Sequence, residues 1–191
     1  MIGKIALAAN STGNAQMATC LLAGIVADTG SFRYNQTSSD TFEMAAYLLK
    51  NGADLQLVVQ KLGTQLAQEV FFFRNKILAS VKFYNNGKIA GVVIPMESMK
   101  AIEGSDEATE GIVETIRNIE NVKVSFVARQ MEDTWRVSLR SHTPSNNVSE
   151  VAAQFGGGGH ICAAAFKQPI TDFTQFLPDL LEKISRISLH E

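Results

Sequence analysis

Apolar positions recur at helical spacing along NAQMATCLLAGIVAD, a stretch rich in helix formers that ends in the turn signal DTGSF. SSDTFEMAAYLLKNG predicts a second helix, with Ser39 or Asp40 as its cap, Glu43 in its first turn and Gly52 closing it after Lys50. ADLQLVVQKLG and TQLAQEVFFFRNKILASVKFY continue the helical period, and the latter carries apolar residues along one face, as a helix bridging two blocks would. The period then changes. GKIAGVVIP, opened by NNG, is a β-branched run, and KVSFVARQ and TWRVSLRS alternate as strands with EDT as the hairpin turn between them. EATEGIVETIRNIE predicts an amphipathic helix between the first strand and the hairpin. VSEVAAQF predicts a helix running into a glycine stretch, AAAFKQP one more strand, and ITDFTQFLPDLLEKISRI a final helix. The change of period places a boundary near Phe83 to Gly87, so residues 1–84 are expected as a helical unit and residues 85–191 as a small α/β unit. There is no internal repeat or low-complexity segment.

Composition narrows the class. A chain of 191 residues with 46% apolar residues can bury real cores in one ordinary domain or two small ones. Its formal charge of -2 argues against a broad footprint for duplex nucleic acid, while leaving room for a local basic cleft that holds a short phosphorylated ligand. No apolar run reaches the length of a bilayer span, and the opening MIGKIALAANSTG is too short and too weakly flanked for a signal peptide. The expectation is a soluble, cytoplasmic protein with no membrane partner. Cys20 and Cys162 have no metal-type spacing and are expected as buried free thiols.

Candidate chemistry concentrates at three places. In FGGGGHICAAAF, Gly156, Gly157, Gly158 and Gly159 follow a predicted helix and precede His160. Their N–H groups can form an anion-binding concavity to which the imidazole adds a donor or a positive charge; a flexible turn with a packing histidine fits the same residues. In RVSLRSHTPSNNV a strand delivers Arg140 and Ser141 to a polar loop. A guanidinium fork and a nearby hydroxyl can clamp a phosphate, and a solvated surface arginine is the plainer alternative. In GIVADTGSFRY an apolar run ends at Asp28, which can ligate a divalent metal or can be an ordinary helix-to-turn residue.

Taken together, the three places carry a family resemblance. GIVADTGSFRYNQTSSDTFEMAAYLLKNGAD resembles the fourth motif of the DHH phosphoesterases, and RVSLRSHTPSNNVSEVAAQFGGGGHICAAAF resembles the signature of their DHH-associated C-terminal domain. The pattern is most similar to the bacterial nanoRNase and pAp phosphatase type, and the resemblance runs from about Ala15 to the end of the chain. It implies an α/β fold: the helical C-terminal part of a DHH domain, then a small substrate-binding domain with a mixed sheet. It also implies that Asp28 is a catalytic residue and one ligand of a manganese (Mn2+) pair that activates water for attack on a phosphate ester. Arg140, Ser141, Gly156 to Gly159 and His160 then correspond to the residues that hold the nucleotide and its terminal phosphate.

The departures are as specific. The paired aspartates of the first motif, the aspartate of the second and the Asp-His-His of the third are not found upstream of Asp28, and Ala165 stands where the family usually has glycine. The chain reads as a family member cut off ahead of the fourth motif, and on that reading it is inactive by itself. The expected function is therefore the C-terminal portion of a manganese-dependent phosphoesterase acting on short oligonucleotides (nanoRNA) or 3′,5′-bisphosphonucleotide (pAp). The alternative is a nucleotide- or single-strand-binding module without chemistry. A homodimer is left open.

Overall fold

The computed structural model describes residues 14–34, 37–64, 66–100, 102, 108–169 and 173–188. The opening stretch MIGKIALAANSTG up to residue 13, and the beginnings of the helices expected at 107–120 and 170–187, lie outside the described residues. The chain divides into two compact units, residues 1–66 and 67–191.

The first unit is helical. Helix α1 (Ala15–Asp28) starts at Asn14, whose side chain accepts the Met17 N–H. Helix α2 (Ser39–Lys50) is capped one residue earlier than expected: Ser38 and Thr41 form a reciprocal capping box, which leaves Asp40 in the first turn. Helix α3 (Leu55–Val59), capped by Asp54, runs on through one π-helical turn over Gln60–Thr64. Ala18, Leu22 and Val26 of α1, Met44, Ala45 and Leu48 of α2 and Val58 of α3 form its core.

The second unit begins earlier than the sequence indicates. Helix α4 (Gln68–Ala79) ends at Ala79, and KFY, expected to continue it, instead pairs as β1 (Lys82–Tyr84) with β2 (Ile89–Ile94). Ile77, Phe73 and Leu78 of α4 pack with the β2 residues Ala90, Val92 and Ile94, which is why this helix belongs to the second unit and does not close the first. The NNG stretch is a hairpin turn: Asn85 and Asn86 take left-handed backbone, which asparagine tolerates better than most residues. After β2 come a short α5 (Met96–Lys100), which periodicity did not show, and α6 (Ile112–Arg117), which starts only after Gly111 and is shorter than expected. Then follow β3 (Val124–Gln130), β4 (Thr134–Ser141), α7 (Val148–Gln154), β5 (Gly158–His160), β6 (Ala163–Pro169) and α8 (Phe173–Ser188).

The six strands form one sheet in the order β1-β2-β3-β4-β6-β5. Only β2 and β3 pair parallel, across the connection that holds α5 and α6, so the sheet is mixed as expected. On one face, Val124, Phe126 and Ala128, with Trp135, Val137 and Leu139, pack against α7 and α8 through Val148, Val151, Phe176, Leu180 and Ile184. An aromatic chain ties this core together: Phe155 stacks on Phe166 at 4.5 Å, Phe176 meets Phe155 edge-on at 5.0 Å, and Trp135 lies 5.0 Å from Phe173. On the other face, Ile77, Met99, Ile112, Val113 and Ile116 cover β2 and the first part of β3. Both cysteines are free, but Cys20 is exposed on α1 and Cys162 is half-buried in the turn between β5 and β6.

Candidate functional site

The burial of the two central strands differs and locates the site. Along β3 the residues from Val124 to Ala128 are all buried, since helices cover both faces there. Along β4 burial alternates. Trp135, Val137, Leu139 and Ser141 point into the α7/α8 core, whereas Arg136, Ser138 and Arg140 point to the opposite face. Strand register extends that second face across three rows: Arg129, Arg136 and Lys167; Val127, Ser138, Ala165 and Gly158; Ser125, Arg140, Ala163 and His160. Residues within a row are about 5 Å apart from strand to strand, and successive rows are about 7 Å apart along the strand.

Helix α6 reaches this face of β4 only at Arg140, through Glu114, and over the rest of β4 and over β6 and β5 no helix covers it among the described residues. Arg136, Lys167 and His160 are exposed, and Ser138, Arg140, Ala163 and Ala165 are half-buried. The result is a shelf with a floor of small side chains and cations at both ends. A cavity of about 390 Å³ opens where α6 meets the shelf, lined by Glu110, Glu114, Arg129, Arg136, Ser138 and Arg140 among others. A second, also about 390 Å³, lies at the opposite edge between Arg136, Lys167, Ala165 and the Gly156–Gly157 backbone. Arg129 is anchored, with Nη1 donating to Thr109 Oγ1 at 2.6 Å. Arg140 Nε donates to Glu114 Oε1 at 2.8 Å.

The glycine run has a structural cause different from the one expected. Gly156 takes a φ of +72° and ends α7, its N–H donating to Ala153 O while the Gly157 N–H donates to Ala152 O. This is the paired closure of a Schellman motif, and it uses the two N–H groups that an anion cradle would need. Gly157 and Gly159 meet the β6 backbone so closely that a Cβ would collide with Ala165 O at the first and lie 2.7 Å from Ala164 Cα at the second. What approaches these two glycines is strand β6. A Cβ on Gly158 would meet nothing within 4 Å, and its neighbours in the register, Ala165 and Ser138, belong to the shelf floor.

The structure therefore brings Arg140 and His160 into one row, separated by Ala163. It does not bring Ser141 to them. Ser141 is 1% exposed on the opposite face, its N–H donating to Cys162 O at 3.1 Å. The hydroxyl on the Arg140 face is that of Ser138, and the cations that sequence reasoning missed are Arg129, Arg136 and Lys167. A period of two along RVSLR could have found Arg136 and Ser138; Lys167 and Arg129 become neighbours only through strand register.

Asp28 lies in the first unit as the exposed last residue of α1. The DTGSF turn after it is tightly specified: Thr29 Oγ1 donates to Ile25 O and accepts the Phe32 N–H, and Ser31 and Phe32 both hold left-handed backbone at φ 59° and 65°. Such backbone in non-glycine residues persists only where surrounding bonds impose it. Among the described residues no group of three or more His, Cys, Asp or Glu comes together to hold an ion, so Asp28 by itself does not fit a two-metal centre.

The model of the DHHA1 domain matches residues 76–187. The chain is 30% identical over 170 residues to the bifunctional oligoribonuclease and PAP phosphatase NrnA of Thermus thermophilus, covering 89% of this chain and 50% of that protein. It is 34% identical over 149 residues to the cyclic-di-AMP phosphodiesterase PdeA of Listeria monocytogenes, covering 78% of this chain and 21% of that one. An exopolyphosphatase-related protein from Bacteroides fragilis superposes with a TM-score of 0.82 at 24% identity, over 93% of this chain and 53% of that chain, a likeness of fold. The chain spans about half the length of the NrnA relatives it matches.

Proposed function

Because the chain belongs to the DHH family of phosphoesterases, carrying its DHHA1 domain, we propose that it holds the substrate for phosphoester hydrolysis of short oligonucleotides or 3′,5′-bisphosphonucleotide. The observation that carries this reading is the row Arg129, Arg136, Lys167 on three adjacent strands of an open face. Like charges directly opposite one another cost a sheet stability, and an anion laid across the exposed pair Arg136 and Lys167 would offset that cost. Guanidinium forks grip phosphate with paired donors, and lysine adds a point charge. The small residues Ser138, Ala163 and Ala165 leave the floor between the cationic ends flat enough for a sugar or base. His160 at the row of Arg140 adds a donor at the sheet edge. The described residues do not fit the manganese pair that the resemblance implies, so we assign to them the holding of the substrate and not the cleavage of its ester.

Titration of the 191-residue chain with pAp, followed by amide and side-chain resonances, tests the site. Shifts are expected to cluster at Arg136, Ser138, Arg140, Ala163 and Lys167; unchanged resonances at millimolar ligand would remove the reading. A second reading, a binding module without chemistry, draws on the lack of a metal-holding cluster among the described residues. It expects pAp binding with no manganese-dependent phosphate release. Release above a no-protein control that Asp28→Ala abolishes would rule it out.

A further inference from the structure

Arg140 meets the shelf with part of its guanidinium already engaged. Nε donates to Glu114 Oε1 at 2.8 Å and Nη1 to the Leu139 carbonyl at 2.9 Å. A guanidinium grips phosphate with two neighbouring N–H donors; two of the five donors of Arg140 are taken, and on the edge formed by Nε and Nη2 the Nε–H is committed to Glu114. The Leu139 carbonyl is fixed to the same strand. The Glu114 carboxylate comes from α6, a separate element, and both partners of the pair are partly exposed, at 26% for Arg140 and 33% for Glu114. A half-solvated pair of this kind exchanges readily for another anion. Glu110 lines the same cavity, whereas the cavity at Arg136 and Lys167 has no carboxylate among its described lining residues. One cationic end of the shelf is thus uncontested and the other is contested.

Resting on the reading of the open face as a phosphate site, we propose that Glu114 is an internal competitor for Arg140, displaced when a second phosphate arrives. A ligand with one phosphate settles at Arg136 and Lys167 and leaves the Glu114–Arg140 pair intact. A ligand with two phosphates must also break that pair, so Glu114 sets the affinity for the doubly phosphorylated class. Glu114 acts through Arg140 and is a positioning residue.

Glu114→Gln keeps the side-chain size and removes the charge. It is expected to tighten pAp binding by about two- to fivefold, the range an exposed ion pair supports, and to leave binding of adenosine 5′-monophosphate unchanged. In an Arg140→Ala background the same substitution is expected to change neither, because the pair it relieves is gone. In the wild-type chain the Arg140 Nε–H resonance is expected to move on adding pAp and to stay in place with the monophosphate. Weaker or unchanged pAp binding in Glu114→Gln would overturn the proposal, as would an equal gain for both ligands, while binding at Arg136 and Lys167 would still support the site. If neither ligand moves any resonance of the shelf in either protein, the site reading falls and the competitor role falls with it.

Discussion

Phe126 and Arg136 occupy neighbouring strands of one sheet and face opposite sides of it, and the sheet treats those sides differently. On the Phe126 side the positions of β3, β4 and β6 are apolar or small except for Gln130 and Gln168 beside Trp135, and they pack under α7 and α8, with Phe126, Val137 and Leu139 fully buried. Each large side chain there contributes roughly 1.5–3 kcal/mol through removal from water. On the Arg136 side, the half of the face over β4, β6 and β5 places arginines and a lysine about 5 Å apart, an arrangement that costs stability. The comparison separates two jobs in one sheet. Stability comes from the covered side, and the open half of the other side holds the exposed charges of Arg136 and Lys167 next to each other, where an anion can lie.

The sharpest way to break the comparison is to weaken the covered side. Phe126→Ala should destabilise the second unit by about 3–5 kcal/mol, the cost of a large cavity in a packed core. Trp135 is the only tryptophan and lies in that core, so its fluorescence through a urea titration reports this unit. A loss below about 1 kcal/mol would mean that the core does not depend on this face.

How much of this was legible in the sequence follows from the same two sides. The strands on the covered side announce themselves, since VSFVA and WRVSL carry β-branched and aromatic residues in the period a half-buried or buried strand requires. The helices α7 and α8 follow from the helical period of VSEVAAQF and ITDFTQFLPDLLEKISRI, whereas the mixed sheet is what the family resemblance implies. Strand β5 was hidden, because GGH has no side-chain pattern and is a strand only through its pairing with Ala163 to Ala165. Residues 82–84 were absorbed into the preceding helix because their period is too short to register against a long apolar run. At the site, Arg140 and His160 were singled out by local motifs and do share a row. Ser141 is adjacent to Arg140 in sequence, yet adjacent strand residues point to opposite faces, and the hydroxyl on the Arg140 face is that of Ser138. Lys167 and Arg129 could not be read, since nothing in sequence brings them beside Arg136.

The glycine run sharpens the comparison at intermediate scale, because its members serve different sides. Gly157→Ala puts a Cβ against the Ala165 carbonyl and the Phe166 backbone, which cannot swing aside, so a loss of about 1–3 kcal/mol is expected. Gly158→Ala meets open space with ordinary backbone and should stay within about 0.5 kcal/mol. Its effect should appear instead in pAp binding, as a side chain raised from the shelf floor. Equal destabilisation by both substitutions in the Trp135-monitored titration would show that the run is one structural turn with no division between packing and ligand.

The smallest effect is the most telling, because its sign differs between two measurements on one variant. Arg136 is exposed, lies opposite Arg129 and Lys167, and has no ion-pair partner among the described residues. Arg136→Ala removes a like-charge opposition and should raise the stability of the second unit by roughly 0.2–1 kcal/mol. The same substitution should weaken pAp binding about tenfold or more, since a charge-assisted contact contributes roughly 1.5–3 kcal/mol. A structural arginine would lose stability and leave binding alone; a solvated one would change neither. Reading urea unfolding and ligand titration on the same preparation decides among these. With a single-stranded oligonucleotide as ligand, the slope of binding against salt should also fall by about 0.7, the share of one released counterion. Gained stability, lost affinity and a shallower salt dependence in one variant would identify Arg136 as a charge kept in the sheet for an anion.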